Sequence, residues 1–272
     1  MPESFLDRFR ITDQVAIITG AGKGIGAATA LMFAEAGADV VITARTLSDL
    51  EEVAQQVRAR GRRALTRVGD VNDLDHLASL VDTTVAEFGR LDILVNNAGG
   101  TAPVPFADLR ADHLTRALHF NVVAPFELSR LAAPHLLAGE GGAIVNISSM
   151  AGVKANRGMF GHSLTKAALN QLTKVLAAEL APRVRVNAVL PGAIETDALR
   201  RYLDTLPDTV RAGMRDRTAM RRNGTPEDIA AAVLYLVSPA SGWITGKLHE
   251  VDGSANPEIL PRRIPDLGPG DL

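Results

Sequence analysis

The chain contains no cysteine. Disulfides and thiolate metal sites are therefore excluded, and a reducing compartment is compatible. Tyrosine is nearly as scarce: there are two, Tyr202 and Tyr235, both in the last third of the chain. Neither sign of charge dominates, with 29 basic and 31 acidic residues and a net charge of −2. That balance offers no electrostatic footprint for nucleic acid or an anionic membrane surface. No apolar run reaches the roughly 18 residues that a membrane helix needs. The opening stretch, Met1–Gln14, is charged and lacks the apolar centre of a signal peptide. A soluble, cytoplasmic protein is expected. The six histidines are His76, His113, His119, His135, His162 and His249. None stands at metal-ligand spacing with a carboxylate, so no catalytic metal is expected.

What is present points to one large α/β domain spanning residues 1–272. Seven short β-rich runs are Gln14–Thr19, Asp39–Ala44, Arg63–Gly69, Leu91–Asn97, Ala143–Ser148, Val184–Leu190 and Lys247–Val251. Most are continuously apolar, as strands buried on both faces are. Helical patterns lie between them, at Ile25–Gly37, Leu47–Arg60, Leu74–Gly89, Asp108–Leu137, Gly161–Leu180 and Pro226–Val237. Thr225 is placed to cap the last of these, with Pro226 first in the helix and Glu227 and Asp228 in its opening turn. The alternation predicts a doubly wound parallel sheet of Rossmann type with helices on both faces. Four prolines in the last twenty residues rule out a helix there. An extended tail over residues 254–272 is expected.

After the first strand comes TGAGKGIG, Thr19–Gly26. Gly20 allows the tight turn out of the strand. Gly24 lets backbone amides approach a pyrophosphate, at a helix start near Ile25 whose dipole favours an anion. Gly26 permits close packing of helix on sheet. The setting between a strand and a helix makes this loop a strong dinucleotide signal. An NAD site places an acid near the end of the second strand. Here that end reads Ala44-Arg45, and Arg45 and Lys23 are both able to pair with a 2′-phosphate. NADP(H) is therefore expected in preference to NAD(H).

Several further motifs occur in order: GDV at Gly69–Val71, NNAGG at Asn96–Gly100, FNV at Phe120–Val122, NISS at Asn146–Ser149, LPGAIETD at Leu190–Asp197 and EVDGS at Glu250–Ser254. With the glycine loop, they make the chain resemble the short-chain dehydrogenase/reductases from about Phe9 to Gly253. Bacterial 3-oxoacyl-[acyl-carrier-protein] reductase-like and hydroxysteroid dehydrogenase-like members are the nearest in pattern. The resemblance implies a seven-stranded sheet in the order 3-2-1-4-5-6-7 and carbonyl–alcohol interconversion on a small molecule. It implies that Asp70 and Val71 meet the adenine, that Asn97 and Gly99 line the ribose path, and that Ile194 and Thr196 hold the nicotinamide carboxamide. It also implies a homodimer or homotetramer, through the helices at Asp108–Leu137 and Gly161–Leu180 and through the last strand and helix.

The family's catalytic group is an Asn, a Ser, a Tyr and a Lys. The matching positions here are Asn121, Ser149, His162 and Lys166. Ser149 would stabilise charge on the substrate oxygen; strand alternation directs the neighbouring Ser148 elsewhere. Lys166 would bind the nicotinamide ribose and lower the pKa of the proton donor. The tyrosine position holds His162, four residues before Lys166 and on the same helix face. Three readings stand. His162 is the proton donor, directly or through one water; or the chain binds NADP(H) and catalyses little; or the histidine is a replacement that disables a normal reductase. Arginines crowd Leu199–Asn223: Arg200, Arg201, Arg211, Arg215, Arg217, Arg221 and Arg222. The region corresponds to the family's substrate lid. A solvated face, with Arg222 in a structural ion pair, is the expectation there, ahead of a dock for an acidic carrier. Met214 and Met220 are read as packing residues.

Overall fold

A computed structural model describes residues 4–139, 141–155, 157–204, 213 and 218–255. Seven strands form the sheet: β1 Val15–Thr19, β2 Asp39–Ala44, β3 Ala64–Val68, β4 Ile93–Asn96, β5 Gly142–Ile147, β6 Val184–Pro191 and β7 Leu248–Val251. Their order is β3-β2-β1-β4-β5-β6-β7, and every neighbouring pair is parallel. The helices are α1 Gly24–Glu35, α2 Leu47–Ala59, α3 Leu74–Phe88, α4 Ala111–Leu118, α5 Ala124–Ala138, α6 Phe160–Leu180, α7 Asp197–Leu203 and α8 Pro226–Val237.

The apolar strand runs explain the layering. Successive side chains point to opposite faces. Ala16, Ile18, Val40, Ile42, Val145 and Ile147 thus enter one core, with Phe33 of α1, Leu50 of α2 and Val233 of α8. Val15, Ile17, Val41, Leu94 and Ile144 enter the other, with Leu77 of α3, Leu128 of α5 and Ala177 of α6. Both faces are covered by helices, so the central strands are mainly apolar along their length, and the few polar side chains on them, such as Asn96 and Asn146, are buried in hydrogen bonds. The cap of α8 forms as its sequence implies. Asp228 N donates to Thr225 Oγ1 at 3.3 Å, and Thr225 N donates to Asp228 Oδ2 at 2.8 Å.

One expected element is corrected. Asp108–Leu137 is not a single helix. Helix α4 begins at Ala111, and His119–Val123 form a π-helical turn before α5. The turn accommodates Asn121, which is fully buried and tied to a neighbouring loop. Beyond Ala255, the expected extended tail lies outside the described residues, as do Arg211, Met214, Arg215 and Arg217.

Candidate active site

The carboxyl ends of β1, β4, β5 and β6 converge, as they must in a doubly wound sheet. At β1 the chain turns through Gly20, with φ +64°, and Gly24, with φ +58°. A Cβ at position 26 would stand 2.5 Å from both Asn97 Nδ2 and the carbonyl oxygen of Gly20. Only glycine fits there. A Cβ at Gly24 would meet Thr196 Cγ2 at 3.1 Å, which places Thr196 across from the loop. The loop is held from β4: Asn97 Nδ2 donates to Thr19 O at 2.8 Å and to Gly20 O at 3.1 Å. The backbone N–H groups of Asn97 and Ala98 both donate to Thr19 Oγ1. Asn97 thus braces the loop, a role that its motif alone did not disclose.

The region after β3, where Asp70 and Val71 are expected to meet the adenine, is shaped by a residue that sequence reasoning missed. The ring of His76 lies against Gly69, where a Cβ would come within 2.2 Å of it. Its Nε2 is 3.0 Å from Thr43 Oγ1. Burial, then Arg67, lowers its pKa. Asp70 Oδ1 accepts from the backbone and side chain of Asn72, and Val71 is buried. The Gly69–His76 contact has no sequence signature beyond a glycine.

The expected catalytic residues gather at the ends of β4 and β5. Asn121 Oδ1 accepts from Gly100 N at 2.8 Å, and its Nδ2 donates to Ala117 O at 3.0 Å. A Cβ at Gly99 would stand 3.0 Å from both Asn121 Oδ1 and Lys166 Nζ. Lys166 is 4% exposed. Its ammonium donates to Ile147 O at 2.9 Å, and it forms no ion pair among the described residues. Burial pushes its pKa down to about 8. Ser149 follows β5 and caps a short 3-10 turn, its Oγ accepting from Ala151 N. Ser148 points away, donating to Asn170 Oδ1 at 2.6 Å. His162 is one turn before Lys166 on α6. Burial, then the Lys166 charge, pushes its pKa down to about 4. Its Nδ1 is buried with no partner among the described residues.

Of the cations expected to face a 2′-phosphate, Arg45 is exposed. Lys23 is instead engaged, its Nζ 3.2 Å from Asp49 Oδ2. Ile194 is buried and bridges to Gly224. Arg222 forms the anticipated ion pair, with Asp228 at 2.6 Å. Beside the site opens a cleft of about 1000 Å3, lined in part by Pro103, Phe106, Val153, Phe160 and Leu164. Among the described residues no group of His, Asp and Glu could hold a metal ion, and no helix is long and apolar enough to cross a membrane.

Sheet order and glycine loop together define a dinucleotide-binding α/β protein. A family model described as enoyl-(acyl carrier protein) reductase matches residues 20–256. The chain is 48% identical to an uncharacterised oxidoreductase of Mycobacterium tuberculosis, over 96% of this chain and 99% of the relative. It is 38% identical to the 7alpha-hydroxysteroid dehydrogenase of Escherichia coli K12, over 93% and 98% of the two chains. A solved 7 alpha-hydroxysteroid dehydrogenase, complexed with NADH and 7-oxo glycochenodeoxycholic acid, superposes with a TM-score of 0.88. That match has 38% identity and covers 94% of this chain and 99% of the other. The chain belongs to the short-chain dehydrogenase/reductase family.

Proposed function

We propose that the protein interconverts a ketone and a secondary alcohol, taking NADP(H) in preference to NAD(H). The observation that carries this reading is Lys166. A buried ammonium without a carboxylate partner is costly to fold around, and such groups concentrate at sites of chemistry. The cradle beside it fits a dinucleotide: the loop turns through Gly20 and Gly24 at positive φ and sets the start of α1 at the carboxyl end of β1, where backbone amides and the helix dipole favour a pyrophosphate. When bound, the nicotinamide supplies or accepts a hydride.

The chain's own residues hold oxygen and proton. Ser149 donates to the substrate oxygen and stabilises charge developing there. His162, with a pKa near 4, is neutral at pH 7. A neutral imidazole passes a proton by releasing hydrogen from one nitrogen while accepting one at the other. Its low pKa therefore does not prevent relay. Lys166, at about 8, is protonated at neutral pH and is the proton source. Asn121 fixes the Gly99–Gly100 loop beside that ammonium. The adjoining cleft, about 1000 Å3, has largely apolar walls and lies at the upper end of the roughly 300–1000 Å3 range of ligand pockets. A hydroxysteroid or a 3-oxoacyl chain suits it, and both classes appear in the names of relatives. Exposed Phe126 and Val175, and fully exposed Trp243 beyond α8, support assembly into a homodimer or homotetramer. A cytoplasmic location accords with the absence of cysteine.

The same His162 favours a second reading, a dinucleotide-binding homologue with impaired catalysis. A group with pKa near 4 is a weak base, and its buried Nδ1 lacks the orienting partner that catalytic histidines use. Oxidation of NADPH over a panel of 7-oxo steroids and 3-oxoacyl thioesters, from pH 5.5 to 9, separates the two. The active reading expects turnover that declines as pH rises through about 8, with no inflection near 6.5. Tight NADPH binding with no turnover in the wild type, together with turnover in His162→Tyr on the same panel, is the outcome that the impaired homologue expects.

A further inference from the structure

The end of β2 carries no acid in sequence, yet the fold delivers one. A Cβ at Gly22 would lie 3.0 Å from Asp49 Cβ and 3.5 Å from Ala44 Cβ. The glycine loop, the end of β2 and the first turn of α2 therefore meet at one point. Lys23 follows Gly22, and Arg45 follows Ala44. Lys23, 60% exposed, reaches Asp49, which is 22% exposed. The Arg45 guanidinium stands free among the described residues. A half-exposed ion pair adds little to stability, and a first-turn acid needs only a position near the helix start. Neither accounts for a carboxylate packed against the loop.

We propose that Asp49 is a specificity-determining residue that restrains the preference for the phosphorylated dinucleotide. The inference rests on the nicotinamide-dependent reading above. A 2′-phosphate draws on Arg45 and Lys23, but it must take Lys23 from a carboxylate already engaged and then sits near a like charge. A 2′-hydroxyl carries no charge to repel, and it is able to donate to a carboxylate, as in sites whose acid ends the second strand. The trio therefore presents one net positive charge to the ribose instead of two. Asp49 supplies from α2 the acid that β2 lacks.

Fluorescence titration of NADH and NADPH, without substrate, tests this on the wild type, Asp49→Asn, Lys23→Ala and the double variant. Asp49→Ser is a second variant should the amide fail to fold. The ratio of Kd for NADH to Kd for NADPH is expected to rise about tenfold in Asp49→Asn, the scale of one charge contact. It should fall in Lys23→Ala. The Asp49→Asn increment should shrink in the Lys23→Ala background, because part of it acts by freeing that lysine. A ratio that stays within twofold of wild type in both Asp49 variants, with both dinucleotides still bound, overturns the proposal. Failure of the wild type to bind either dinucleotide overturns the function itself.

Discussion

The two halves of the site differ in how fully their polar groups are satisfied. At the glycine loop the side chains of Thr19 and Asn97 share five hydrogen bonds with surrounding backbone. The cradle is complete before any ligand arrives. At the end proposed for proton transfer, His162 Nδ1, Ser163 Oγ and Thr101 Oγ1 are buried with no partner among the described residues. Lys166 has one carbonyl for three donor hydrogens. Unsatisfied buried groups cost stability. The contrast teaches that the binding half is built for rigidity, while the chemical half carries a cost that folding alone does not explain.

The strongest way to break this comparison is His162→Tyr. A tyrosine four residues before Lys166 gives the group that the family uses. Turnover at pH 7 should rise about 100-fold, within the range of one positioned acid, with dinucleotide affinity changed little. A fall in rate would mean that the histidine is the better donor here. Gly26→Val attacks the other half. Its side chain meets Asn97 and the Gly20 carbonyl at 2.5 Å. Dinucleotide binding, measured by titration, should weaken by more than about 30-fold, and unfolding should cost about 1–3 kcal/mol less from overpacking.

Lys166→Met sharpens the contrast through stability. The folded pKa, about 8, lies below the usual lysine value of 10.5. Between those values the unfolded chain binds more protons, so wild-type stability rises with pH there. The ligand-free variant should therefore be more stable than wild type by about 2–3 kcal/mol below pH 8. That advantage should shrink toward pH 10.5 in denaturant titrations. His162 gives the smallest effect. Its folded pKa of about 4 lies below the usual 6.5, so its contribution is intact above 6.5 and is lost as pH falls toward 4. Discounted for partial exposure, the loss is about 1 kcal/mol. It should be absent in His162→Gln, as read from unfolding midpoints at pH 4.5 and 7.

Much of this architecture was legible along the chain. The strand runs are apolar without alternation because both faces are covered, and that pattern survives in one dimension. The glycines of Thr19–Gly26 are equally readable, since a turn and a close approach leave few other residue choices. The π turn at His119–Val123 was not readable. Its side chains follow the same apolar spacing as an α-helix, and the cause is a bond between Asn121 and a loop twenty-one residues away.

Sequence by itself determined the doubly wound sheet, the position of the dinucleotide loop, and the placement of Asn121, Ser149, His162 and Lys166 as a group. The sheet and the loop follow from local periodicity and glycine spacing, and the group of four follows from the family resemblance that the order of the motifs carries. Only the tertiary structure decided that Lys23 meets Asp49, that His76 covers Gly69, that Asn97 braces the loop, and that Lys166 is buried without a carboxylate. Each of these is an arrangement set by how separately formed elements pack together. Its energy depends on packing and on the local dielectric, and neither is written in the order of residues.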